Sequence, residues 1–179
     1  MKKGASETKN DFSISERVNH KSEALMKPKS MRGFIFFIIA TLVFFEFGNT
    51  IRNIAAKYPL DNALFSLVTA RNSGGAWNIL ENHTVFLTVL GFAALLLLAF
   101  YVWKKVDFTD REVLLSAVLF SAGILGNTAE RLVNGHVIDY IKLKFINFPV
   151  FNSFDIMICV GVALYATHLI FGCKQNESK

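Results

Sequence analysis

Four apolar runs, each close to the length of a bilayer crossing, decide what this chain can fold into. They cover residues 33–49 ("GFIFFIIATLVFFEFGN"), 83–103, 112–129 and 153–172. A helix needs roughly 20 apolar residues to cross about 30 Å of hydrocarbon. Ionisable side chains are nearly absent from the middles of the runs. Any other backbone form would leave N–H and C=O groups without partners in lipid, so helices are the consistent solution. Composition agrees: 53% of the 179 residues are hydrophobic, with 18 Phe and three Pro, and they come in blocks rather than at the period of a soluble core. The expected fold is an all-α integral membrane domain over residues 33–172, built from four transmembrane helices. A basic tail, 1–32, and a short tail, 173–179, flank it.

The charges orient the spans. Residues 1–32 hold eight Lys/Arg and four Asp/Glu among Ser, Asn and Lys. That composition suits a disordered cytoplasmic extension better than a nucleic-acid-binding arm, and no nucleic acid is expected as a partner. With the N-terminus inside, thirteen of the 19 Lys/Arg fall on the cytoplasmic side and six outside. The short loop "KKVDFTDR" leans the same way. Both termini are therefore expected inside, and the connections 52–82 and 131–152 outside. The first connection contains "LFSLVTARNSGGAWNIL", a run of β propensity ended by Ser-Gly-Gly, which predicts a small extracytoplasmic β element between helices 1 and 2.

The two cysteines, Cys159 inside a run and Cys173 after it, support no disulfide framework. "LIFGC" before Cys173 resembles a lipidation box only by chance, because such boxes end an N-terminal signal. His83, His136 and His168 are too scattered to form a metal-ligand set. No metal or cofactor is expected.

Polar residues gather where the spans meet the outer surface. Asp155 follows Asn152 by three at the start of the fourth run, the pattern of an N-cap with an acid at N3. Asp139, in "NGHVIDYIKLK", reads equally as an exposed strand residue. Brought together, the two carboxylates would suit another purpose. Repulsion and partial desolvation let such a pair share one proton, leaving one acid and one base. Asn127 and Arg131, four apart, share a face of the third span near its outer end. An Arg there can snorkel to headgroups, bind a substrate backbone or pin the loop carrying Asp139. Glu46 lies within the first span and calls for a partner, for which Arg52 and Arg131 are the candidates.

The order "NSGGAW", "GILGNTAERLVNGHVIDY", "FPVFNSFDIMICVGVAL" resembles the lipoprotein signal peptidase, or signal peptidase II, family over about residues 33–172. The family's motifs run Asn-x-Gly-x-Ala-aromatic, Gly-Asn-x-x-Asp-Arg, Gly-x-Val-x-Asp-Phe/Tyr and Phe-Asn-x-Ala-Asp. The resemblance implies an aspartic endopeptidase with Asp139 and Asp155 as its catalytic pair. Asn72, Gly75, Asn127, Arg131 and Asn152 match positions that line or brace the site, joined by Glu130 and Glu46. The implied substrate is a diacylglyceryl-modified prolipoprotein, cut just before its lipidated Cys by a monomer among membrane lipids at the outer face of a bacterial inner membrane. Departures are specific: Glu46 and Thr50 stand where the family's first span carries Asp and Lys, Glu130 replaces Asp, and Phe154 replaces Ala. A non-cleaving homologue that binds lipidated substrates is one alternative. A small proton or cation transporter using Glu46, Asp139 and Asp155 is another.

Overall fold

A computed structural model describes residues 31–176, with side chains through residue 171. The tail expected over 1–32 lies outside the described residues apart from its last two, which already belong to the first helix. Helix α1 spans Met31–Lys57, α2 Thr84–Lys105, α3 Arg111–Asn134 and α4 Ser153–Asn176. All four are long and apolar enough to cross a membrane. Each helix begins within two residues of the start of its expected run and continues past the run's end, most in α1, which goes eight residues beyond Asn49.

Helix α3 is the hub. Within its apolar window 56% of residues are buried, against 11–17% for the other three spans. The outer helices turn Ile39, Val43, Leu96, Leu97, Val160 and Ile170 outward, each at least 43% exposed. In water such a surface would aggregate; in a bilayer it faces acyl chains. The free thiol of Cys159 lies on this surface. Local chemistry sets the ends of the hub. Asp110 accepts from the Val113 N–H at 3.2 Å as N-cap. Gly135 ends α3 in the left-handed region at φ 77°, with its N–H on the Arg131 carbonyl at 3.0 Å.

Strand β1, Phe65–Asn72, follows α1, and strand β2, Val137–Leu143, follows α3. They pair antiparallel, from Phe65↔Leu143 to Asn72↔Val137, with an irregularity between Leu67 and Ala70. The expected β element therefore lies between helices 1 and 2, but its partner strand comes from the connection between α3 and α4. Ile141 on β2 also pairs with Phe151, bringing the chain back to the start of α4. The sheet thus joins both connections at one end of the bundle, the end at which Asp139 and Asp155 stand.

Candidate active site

The site grows from the first turn of α4. The Asn152 side-chain Oδ1 accepts from the N–H groups of Phe154 (2.8 Å) and Asp155 (3.1 Å). In return, Asp155 Oδ2 accepts from the Asn152 N–H at 3.0 Å. This is a reciprocal helix cap of the kind the sequence predicts, and it orients both groups. With its carbonyl oxygen committed to the helix, the Asn152 amide must point its two hydrogens the other way. They reach Asp139 Oδ1 at 2.7 Å and Asn127 Oδ1 at 3.2 Å. Asn152 is 1% exposed and meets all of its donor and acceptor capacity.

The same logic fixes the neighbouring amides. Asn72, the last residue of β1, accepts from the Gly74 N–H at 3.0 Å and donates to Asp139 Oδ2 at 2.9 Å. Asn127 on α3 donates to Asp155 Oδ1 at 2.8 Å. All four carboxylate oxygens of the two Asp residues are thus held by amide donors whose orientation is set elsewhere. Asp139 is buried, not exposed on its strand, while Asp155 is half-buried. Burial pushes the Asp139 carboxyl above the ordinary carboxylate range. Hydrogen bonds from Asn72 and Asn152 oppose the shift, the charge of Asp155 adds to it, and that of Arg131 works against it.

The charge of Arg131 acts on Asp139, yet its donors go to backbone. Nη2 donates to the Gly74 carbonyl at 2.5 Å and Nη1 to the Asn127 carbonyl at 3.3 Å, while buried Nε has no partner. No ion pair locks either Asp139 or Asp155 among the described residues. Arg131 instead ties α3 to the turn after β1, where Gly75 donates to the Ile79 carbonyl at 2.6 Å. Along that turn Trp77, Asn78, Leu80 and Asn82 all adopt positive φ, between 53° and 66°, a concentration of backbone strain of the kind found beside functional sites.

Not every expected residue joins the cluster. Glu46 is exposed on α1, and its carbonyl accepts from the Thr50 hydroxyl at 2.9 Å. The partners expected for it are engaged elsewhere: Arg131 as above, and Arg52 with Glu130 at 2.6 Å. Glu130, 5% exposed, uses its second oxygen to accept from the Ile138 N–H at 2.7 Å, beside Asp139. Sequence reasoning missed the Arg52 pairing and two further contacts. Tyr140, also buried, accepts from the Ser153 N–H at 3.1 Å, and the Ser153 hydroxyl donates to the Gly48 carbonyl at 3.3 Å. Spacing offered no signal for these, since each links a different pair of elements.

Phe154, the other departure, is 1% exposed. Its ring lies where Cβ atoms on Gly48 and Gly126 would stand, 2.3 Å from each ideal position, and it stacks on Phe45 with centroids 6.0 Å apart. Two glycines on different helices make room for the larger side chain.

The profile of the family described as signal peptidase (SPase) II matches residues 36–171. Among curated proteins, the chain is 37% identical over 125 residues to the lipoprotein signal peptidase of Lactiplantibacillus plantarum, covering 70% of this chain and 80% of that protein. Two solved bacterial membrane enzymes, both determined by the in meso method, share the fold at 24% identity. One has a TM-score of 0.73 over 86% of this chain and 98% of its own. The other has a TM-score of 0.68 over 82% and 98%.

Proposed function

Because the chain belongs to the signal peptidase II family, we propose that its signal-peptide cleavage is carried out by Asp139 and Asp155 acting as one acid–base pair. The protein is a multi-pass membrane protease that removes signal peptides from lipoproteins. The finer reading is an aspartic endopeptidase that cuts a diacylglyceryl-modified prolipoprotein just before its lipidated Cys. One observation carries it. Asn152 holds both carboxylates, donating from its side chain to Asp139 at 2.7 Å and from its backbone to Asp155 at 3.0 Å.

In this reading Asp139, the more buried carboxyl and the one pushed up by burial, serves as the acid, and half-buried Asp155 serves as the base. Asp155 sits in the first turn of α4, where the helix N-terminus favours a negative charge. It takes a proton from water as the oxygen attacks the scissile carbonyl, and Asp139 protonates the developing oxyanion. Collapse of the tetrahedral intermediate breaks the C–N bond, and a proton passes from the pair to the leaving nitrogen. An Arg paired to either carboxylate would hold it ionised; spending the Arg131 donors on the Gly74 and Asn127 carbonyls avoids this. The substrate's acyl chains stay in lipid while its peptide reaches the end of the bundle. Asn72, Gly75, Asn127, Arg131 and Glu130 brace the site. Glu46 has no ion-pair or hydrogen-bond connection to the pair among the described residues, which weakens the alternative of a proton path through the membrane. We further assign both termini to the cytoplasm and the carboxylates to the outer face, with the chain acting as a monomer.

The test is cleavage of a diacylglyceryl prolipoprotein by detergent-purified protein. Asp139→Asn and Asp155→Asn are each expected to abolish cleavage while preserving the fold. Full activity in either variant would overturn the pair.

A further inference from the structure

Helix α1 contributes no carboxylate to the pair, yet it touches both elements that carry one. Gly48 and Arg52 lie four residues apart, on one helical face. The Gly48 carbonyl accepts from the Ser153 hydroxyl at 3.3 Å, beside the start of α4. Arg52 Nη1 donates to Glu130 Oε1 at 2.6 Å, and Glu130 Oε2 accepts from the Ile138 N–H at 2.7 Å. Ile138 is the residue immediately before Asp139.

The β-sheet alone holds this stretch incompletely. Its register is irregular between Leu67 and Ala70, opposite the segment from Asp139 to Ile141, and such an irregularity leaves part of a ladder unpaired. Glu130 supplies a fixed point at Ile138. A buried carboxylate is costly without an opposite charge, and with one oxygen free it would rotate. Arg52 removes both problems by taking the second oxygen. The extra methylene of Glu130, compared with the Asp of the family pattern, gives the carboxylate the reach to touch α1 and β2 together.

We propose that Arg52 is a positioning residue for peptide cleavage, acting through Glu130 to fix the β2 backbone at Ile138 and so to place Asp139 against Asn72 and Asn152. This rests on reading Asp139 and Asp155 as the catalytic pair. Arg52 does not touch the carboxylates; its effect is on the geometry of the one it places. Misplacement of a reacting group by about 1 Å costs on the order of 100-fold in rate, so the effect belongs in kcat.

The experiment measures kcat, KM and apparent melting temperature with a diacylglyceryl-modified prolipoprotein peptide. The variants are Arg52→Gln, Arg52→Lys, Glu130→Asp, Glu130→Gln and Arg52→Gln/Glu130→Gln, with Asp139→Asn as the inactive reference. Arg52→Gln is expected to lower kcat roughly 10- to 100-fold with KM changed less than about threefold. Arg52→Lys is expected to recover most of that loss, because one Nη alone makes the contact. The double variant should be no slower than Glu130→Gln, since the two residues act in series. Should Arg52→Gln fail to fold, Glu130→Asp keeps the inference testable: its shorter side chain cannot span both contacts, and a kcat loss of about 10-fold is expected. Parental kcat in Arg52→Gln or Glu130→Asp, beside an inactive Asp139→Asn, overturns this inference alone. An active Asp139→Asn removes the catalytic pair and this inference with it.

Discussion

Asp139 is held in a compromise that titration can expose. Burial raises its carboxyl above the ordinary value near 3.8, even though two amides donate to it. Between the ordinary and the raised value, the folded chain therefore binds more protons than the unfolded chain. Stability falls as pH rises through that window and levels off above it, since the cost of the buried charge is then fully present. Asp139→Asn removes this titration. We expect the variant's apparent melting temperature, relative to the parent, to climb from acid toward neutral pH by roughly 2–4 °C for each kcal/mol involved. A pH-independent difference would show that burial does not govern this group. Asn152 gives the opposite result. Asn152→Ala strips a donor from Asp139 and a cap from α4, and should cost on the order of 2–3 kcal/mol. Cleavage should fall about 100-fold with it. Circular dichroism melting beside the lipopeptide assay checks both. Asn152 and Asp155 were legible in the sequence because a helix cap is local chemistry, written within four residues. The Arg52–Glu130 pair, 78 residues apart, was not. Glu46, six residues before Arg52, lies on another face of α1, and only the packing of α1 on α3 brings Arg52 to Glu130.

Phe154 shows how the helices accommodate a substitution at the site. Its ring fills space left by the missing Cβ atoms of Gly48 on α1 and Gly126 on α3, so these residues form one packing unit. Phe154→Ala should cost roughly 3–5 kcal/mol by opening a cavity between the helices. Gly126→Ala should cost about 1–3 kcal/mol by driving a methyl group into the ring. Together the two should cost less than their sum by about 1 kcal/mol or more, because the methyl group then enters the vacated space. Strict additivity in melting experiments would mean that ring and glycine do not meet. The four spans themselves were legible because lipid demands long apolar runs with few charges. Their ends were less so, since α1 and α3 continue past the apolar runs in turns carrying Arg52, Glu130 and Arg131. Nor could sequence pair β1 with β2. Propensity marks a strand, whereas its partner is fixed by how α3 and α1 sit side by side.

At the scale of the whole molecule, the sheet, the two Asp residues and Arg131 lie at one end of the bundle, and the α2–α3 loop lies at the other. The proposed orientation, argued from the excess of basic residues, puts that loop and both termini in the cytoplasm. In that orientation the carboxylates meet a translocated peptide at the outer face while its lipid anchor remains in the bilayer. Single cysteines test the assignment in a Cys159→Ser/Cys173→Ser background. Lys142 on β2 and Lys105 at the end of α2 are both exposed, and neither belongs to the proposed site. In intact cells, Lys142→Cys should react with a membrane-impermeant maleimide, and Lys105→Cys only after permeabilisation. The reverse pattern would put the carboxylates on the cytoplasmic side, away from the lipidated substrate. Labelling of both in intact cells would mean a mixed orientation, which the basic loop between α2 and α3 should prevent. Replacing Lys104, Lys105 and Arg111 with Gln in the same background should then raise the fraction of Lys142→Cys protected from the reagent, because the charge bias that orients the second and third spans would be gone.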